Sequence, residues 1–177
     1  MIKSGNLILE EDATFIVNAS NTQLLLGDGV SMSFKRHCGH LLQEEMTKIK
    51  NEVGKFYKGD VVITSSGNAK NFKYTLHGIV MNYEPGTRGS DKLPSLDDIH
   101  DILNNIQRYC LWFNKNTNLK KIKLVLPFLG CGHGLLMKSS VFLLYKEFFS
   151  QEIDFNCDVV IYIPDSENNL EVYKGIL

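Results

Sequence analysis

The sequence predicts an α/β protein, a sheet with helices packed on both faces. Three observations carry this expectation. Short β-branched runs alternate along the chain with longer stretches of helical periodicity. Two glycine-rich loops each leave a predicted strand and enter a predicted helix. The chain has 177 residues, 44% hydrophobic and 22% charged, the balance of an ordinary globular protein with a core of its own.

The elements follow in order. Thr14-Phe15-Ile16-Val17 is a compact apolar run ending in Asn18, the pattern of a strand buried on both faces. Val30, Phe34, Cys38, Leu41, Leu42, Met46, Ile49 and Val53 then recur mostly at steps of three and four, which predicts an amphipathic helix. Val61–Thr64 and Tyr74–Val80 read as two strands, with Ser65-Ser66-Gly67-Asn68 supplying turn chemistry between them. Ser95 is a predicted N-cap, with Asp97 and Asp98 in the first turn of the next helix. Leu96, Ile99, Ile102, Leu103, Ile106, Cys110 and Phe113 form the buried face of that helix. Ile122–Leu126 is a further apolar strand closed by Pro127. A short helix carries Val141, Leu144, Tyr145 and Phe148, and Val159–Ile163 is a last strand stopped by Pro164. We expect one domain over residues 1–177.

Charge and cysteine usage narrow the function classes. Lys and Arg total 19 against 20 Asp and Glu, a net charge of −1, whereas nucleic-acid binders carry a clear positive excess. No nucleic-acid partner is therefore expected. No apolar run approaches the ~20 residues of a membrane-spanning helix, and acidic Glu10, Glu11 and Asp12 break any signal-peptide core. Cys38, Cys110, Cys131 and Cys157 form no C-x-x-C pair, so free thiols in a reducing cytoplasm are the plain expectation. His37, Cys38 and His40 with Cys131 and His133 match no zinc-knuckle spacing. We expect no metal, no cofactor, no membrane partner, and a monomer.

In α/β sheets, ligands bind beyond the carboxyl ends of the strands. That rule points to two loops. The first runs from Asn18 to Val30, with Asn21, Gly27, Asp28 and Gly29 inside it; its glycines permit close ligand approach, and the helix start at Val30 favours an anion. The second is Pro127-Phe128-Leu129-Gly130-Cys131-Gly132-His133-Gly134. Neither is a P-loop, because no Gly-Lys-Ser/Thr follows. Two such loops suggest a clamp on a diphosphate, and neither brings a lysine to a terminal phosphate.

In these residues the chain resembles the macrodomain family. Val17-Asn18-Ala19-Ser20-Asn21, followed by Gly27-Asp28-Gly29-Val30, resembles the motif V-N-A-A-N…G-G-G-V. Gly59–Thr64 and Tyr74-Thr75-Leu76-His77 resemble two of the family's strand motifs, and Pro127–Gly134 resembles its second glycine loop, one residue shorter. The resemblance implies a three-layer α/β/α fold with a mixed central sheet, binding ADP-ribose at the crest of the sheet. By carry-over, Asn21 would contact the distal ribose, with Asn18 beside it at the strand end. Gly27, Gly29 and Val30 would line the first phosphate loop, and Gly130, Cys131, Gly132, Gly134 and Leu135 the second. Asn6 stands where the family usually has an adenine-recognising Asp, and Asp165 would flank the adenine.

Catalytic carry-over is less complete. Many hydrolytic members have an Asp after G-G-G-V, where this chain has Ser31, a poor base at neutral pH. Asp28 is a displaced water-orienting carboxylate or a solvent-facing turn residue. His133 is a candidate acid–base group or a polar loop lining. His77, within a strand, reads as a satisfied core histidine. Two functions stay open: a hydrolase of mono-ADP-ribosyl or O-acetyl-ADP-ribose linkages using Asn21, Asp28 and His133, or a non-catalytic reader of free or protein-linked ADP-ribose.

Overall fold

A computed structural model describes residues 1–118, 121–150 and 157–163. Its strands are β1 (Ile2–Ser4), β2 (Ala13–Asn21), β3 (Val61–Ser65), β4 (Phe72–Met81), β5 (Ile122–Pro127) and β6 (Cys157–Ile163); its helices are α1 (Val30–Val53), α2 (Leu96–Asn116) and α3 (Lys138–Ser150). The six strands form one sheet in the order β1-β6-β5-β2-β4-β3. Every neighbouring pair is parallel except β3 with β4, so the sheet is mixed.

The layers follow from alternation along β2. Phe15 and Val17 join a core built with α2 and α3, while Ile16 joins a second core built with α1. All three are fully buried, and each such burial stabilises the fold by roughly 2 kcal/mol. β5 and β6 alternate in the same way, through Leu124, Val125 and Leu126 and through Val160 and Ile161. Helix α1 thus covers one face and α2 with α3 the other, the three-layer arrangement expected. Gly78 on β4 lets α2 approach closely, because a Cβ there would lie 2.9 Å from Ile102 Cγ2.

Local expectations hold with some corrections. Ser95 caps α2 in a reciprocal capping box with Asp98. Strands β2 and β4 extend beyond their apolar runs, and the three-residue β1 had no periodicity to announce it. Leu41, Val53 and Leu96 are exposed rather than buried. The long α1 is broken at Gly39 (φ 71°, ψ −169°). At the break the Cys38 carbonyl accepts from Asn68 N at 2.8 Å, and the β3–β4 turn packs in so tightly that a Cβ on Gly67 would lie 2.4 Å from Cys38 O. Pro164 and Asp165 lie outside the described residues.

Candidate functional site

The two glycine loops meet. Together with the ends of β2 and β4 they line one solvent-open cleft. Gly27, Asp28, Gly29, Val30 and Ser31 come from the first loop and the start of α1, and Gly130, Gly132, His133 and Gly134 from the second. Ala19, Ser20 and Asn21 end β2 between them. None of these described lining residues is Lys or Arg, so an anion here would be held by backbone amides.

Asn21 is 8% exposed and shapes the first loop. Its Oδ1 accepts from Gln23 N (3.1 Å) and Leu25 N (3.3 Å), while its Nδ2 donates to Leu25 O (2.9 Å). From α1, Gln43 brackets the same loop by accepting from Leu26 N (2.8 Å) and donating to Leu24 O (2.9 Å). Lys50 Nζ donates to Thr22 O at 2.8 Å. The loop is held from both ends before any ligand arrives. Helix α1 then begins at Gly29 (φ 64°) without a side-chain cap.

The second loop is anchored from α3. The buried Tyr145 hydroxyl donates to Pro127 O (2.8 Å) and accepts from Leu129 N (3.2 Å), and burial raises its pKa. The glycines of the two loops divide into two roles. A Cβ on Gly134 would lie 2.4 Å from Gly130 O, and one on Gly130 would lie 2.8 Å from Leu136 Cδ1, so packing requires these glycines. Nothing lies within 4 Å of a Cβ on Gly27, Gly29 or Gly132, which leaves open space beside the backbone at these three.

Beneath the cleft runs a polar chain. Thr64 Oγ1 donates its single proton to Ser65 O (2.9 Å), so it accepts from His77 Nε2–H (2.9 Å). His77 Nδ1 therefore accepts from Asn18 Nδ2 (3.1 Å), and Asn18 Oδ1 is left to accept from the Ser31 hydroxyl (2.9 Å). The Ser31 proton is shared with Ala19 O, also at 2.9 Å. Burial lowers the His77 pKa to about 3, so the ring is neutral, as expected of a core histidine. Asn18 is fully buried in this chain and does not line the cleft. Ser31 lines it, but its proton is committed inside the wall.

Asp28 and His133 are both exposed on the cleft. Asn6, Cys131 and Leu135 are not among its lining residues. Asn6 instead caps a short 3-10 turn, its Oδ1 accepting from Ile8 N at 3.3 Å. Cys131 contacts Leu129 O through its thiol, whose pKa burial raises to about 11. Leu135 is 74% exposed at φ 60°. Of the zinc candidates, His37 hydrogen-bonds Asn71 and Cys38 is core.

Tyr83, Met81 and Phe128 also line the cleft, as does Ser20, and the sequence reading had not singled them out. The signal for Tyr83 was available, because it follows the carboxyl end of β4 as the two loops follow β2 and β5.

A cleft walled by glycine loops at the carboxyl ends of parallel strands lies where open α/β sheets place their ligand sites. The chain belongs to the Macro domain family, which it matches over residues 17–142. Macrodomains bind ADP-ribose. A macrodomain mutant of Oceanobacillus iheyensis solved with ADPR superposes with a TM-score of 0.76 at 19% identity, covering 98% of this chain and 89% of that one. A macro domain-containing protein of Listeria monocytogenes is 25% identical over 96% of this chain and 92% of its own length. The O-acetyl-ADP-ribose deacetylase 1 of Pantoea vagans is 35% identical over 49% of this chain and 50% of its own length. The chain spans about half, or less, of the length of the first curated relatives it matches.

Proposed function

We propose that this chain binds ADP-ribose, free or attached to a protein, in the cleft between its two glycine loops. The observation that carries the reading is the convergence of both loops on one cleft, with open space beside Gly27, Gly29 and Gly132 where a diphosphate can approach the backbone. The family match supports the same ligand. Asn6, Cys131 and Leu135, and Asp165 outside the described residues, are not needed for this reading. Calorimetric titration tests it. ADP-ribose should bind in the micromolar range, about −7 to −8 kcal/mol, and AMP far more weakly, because the diphosphate makes much of the contact. Equal affinity for the two would sink the clamp.

A second reading, hydrolysis of a mono-ADP-ribosyl or O-acetyl-ADP-ribose linkage, is favoured by Asp28 and His133 lining the same cleft as Asn21. The name of the Pantoea vagans relative points the same way. Against it stands Ser31, whose proton is held by Asn18 and Ala19 and which is a poor base. Incubation with a protein mono-ADP-ribosylated on glutamate separates the readings: loss of label marks a hydrolase, and retained label with measurable affinity marks a reader.

A further inference from the structure

We infer that Ser20 is a ligand-binding residue of the cleft, its hydroxyl donating to the phosphate held at the start of α1. Ser20 is 2% exposed, and among the described residues its Oγ has no hydrogen-bond partner. A buried hydroxyl without a partner costs free energy, and native proteins seldom keep one without a use. This one belongs to the cleft wall.

Two further features place it against a phosphate. Along β2, Ile16 packs with the α1 core and Asn18 bonds Ser31 of α1, so alternation puts Ser20 on the α1 side as well. There α1 begins at Gly29 with no side-chain cap, leaving its first amides to an anion. The pairing of β2 with β4 also shifts register between Ser20 and Asn21, which partner Ile79 and Met81 with Val80 left over. Such irregularities re-aim side chains beside binding sites. Ser20, the first residues of α1 and the shifted β2–β4 pairing all border the one cleft.

The inference rests on the reading of the cleft as an ADP-ribose site, and the test separates the two. ADP-ribose and ADP are titrated into wild type and Ser20→Ala, and thermal unfolding of both is measured without ligand. A hydrogen bond to a charged group predicts a loss of about tenfold in affinity for both ligands. Removing an unpartnered hydroxyl predicts an unliganded melting temperature equal to or above that of wild type. Weakened binding of ADP-ribose with ADP unaffected would overturn the phosphate assignment in favour of the ribose. Unchanged affinity for both, or a lowered melting temperature that shows the hydroxyl supporting the fold, would overturn the role. A wild type that binds neither ligand would overturn the reading of the cleft, and this assignment with it.

Discussion

His77 shows how one side chain in the core couples stability to pH. The unfolded chain takes up a proton on this ring below about pH 6.5, whereas the folded chain holds it neutral down to about 3. The stabilisation is therefore complete above pH 6.5 and is lost progressively as pH falls towards 3, by up to about 1.4 kcal/mol per pH unit. In His77→Gln, denaturant titrations between pH 7 and 5 should show this slope removed; an unchanged slope would place the proton elsewhere. Asp28 is the residue that decides between the two functions. If the chain turns over substrate, Asp28→Ala should lower the single-turnover rate by ~100-fold with binding retained. Tighter binding with no change in rate would mark its carboxylate as a charge facing the diphosphate. The sequence made His77 and Asp28 visible because each breaks the pattern around it. Ser20, by contrast, stands where the resembled motif has alanine, and a hydroxyl in place of a methyl only acquires meaning once its neighbours fail to bond it.

At the scale of elements, the second loop separates glycines that pack from glycines that leave space. Gly132→Glu places a side chain and a negative charge in open space on the cleft, so the melting temperature should hold while ADP-ribose binding is lost. Gly134→Ala brings a Cβ to 2.4 Å from Gly130 O, so it should cost roughly 2 kcal/mol or more of stability. Equal stability of the two variants, read by thermal unfolding, would refute the distinction. Sequence spacing located this loop but could not assign its glycines, because alternate glycines look alike until Pro94 and Leu136 are placed against them. The break in α1 was hidden for a similar reason. Gly39 lies inside the amphipathic periodicity of the helix, and the partner that takes the Cys38 carbonyl at the break, Asn68, is 29 positions away.

Across the whole molecule, one carboxylate ties together distant parts of the chain. Glu10 is buried and pairs with Lys3 of β1 (2.8 Å), with Lys123 of β5 and with the Tyr162 hydroxyl of β6 (2.5 Å). Burial alone would raise its pKa, but these partners outweigh burial and hold it at about 2. The paired carboxylate stabilises the fold above about pH 4.5, and this is lost as pH falls through about 2. Glu10→Gln should cost about 2–3 kcal/mol at neutral pH and flatten the acid limb of the stability curve below pH 4.5. A variant with the acid limb of wild type would show that the hub contributes nothing. The fold was legible because β2, β5 and β6 are apolar on both faces, and order along the chain then fixes the layers. The hub was not, since Lys3, Glu10, Lys123 and Tyr162 are scattered through the sequence and no spacing links them.

The polar chain from Ser31 through Asn18 and His77 to Thr64 has a further consequence, for the edge of the sheet. β3 pairs only with β4 among the described strands, and outside that ladder its register rests on few bonds, among them those of Ser65 to Glu45 of α1. A slip by one would turn Val62 and Thr64 outward. A slip by two would keep the faces but carry Thr64 away from the ring, leaving a buried N–H without an acceptor, at about 1–3 kcal/mol. One threonine thus acts as a register pin. It holds the outermost strand in step with a helix start on the far side of two other strands, and it penalises the misaligned pairings from which edge-to-edge aggregation begins.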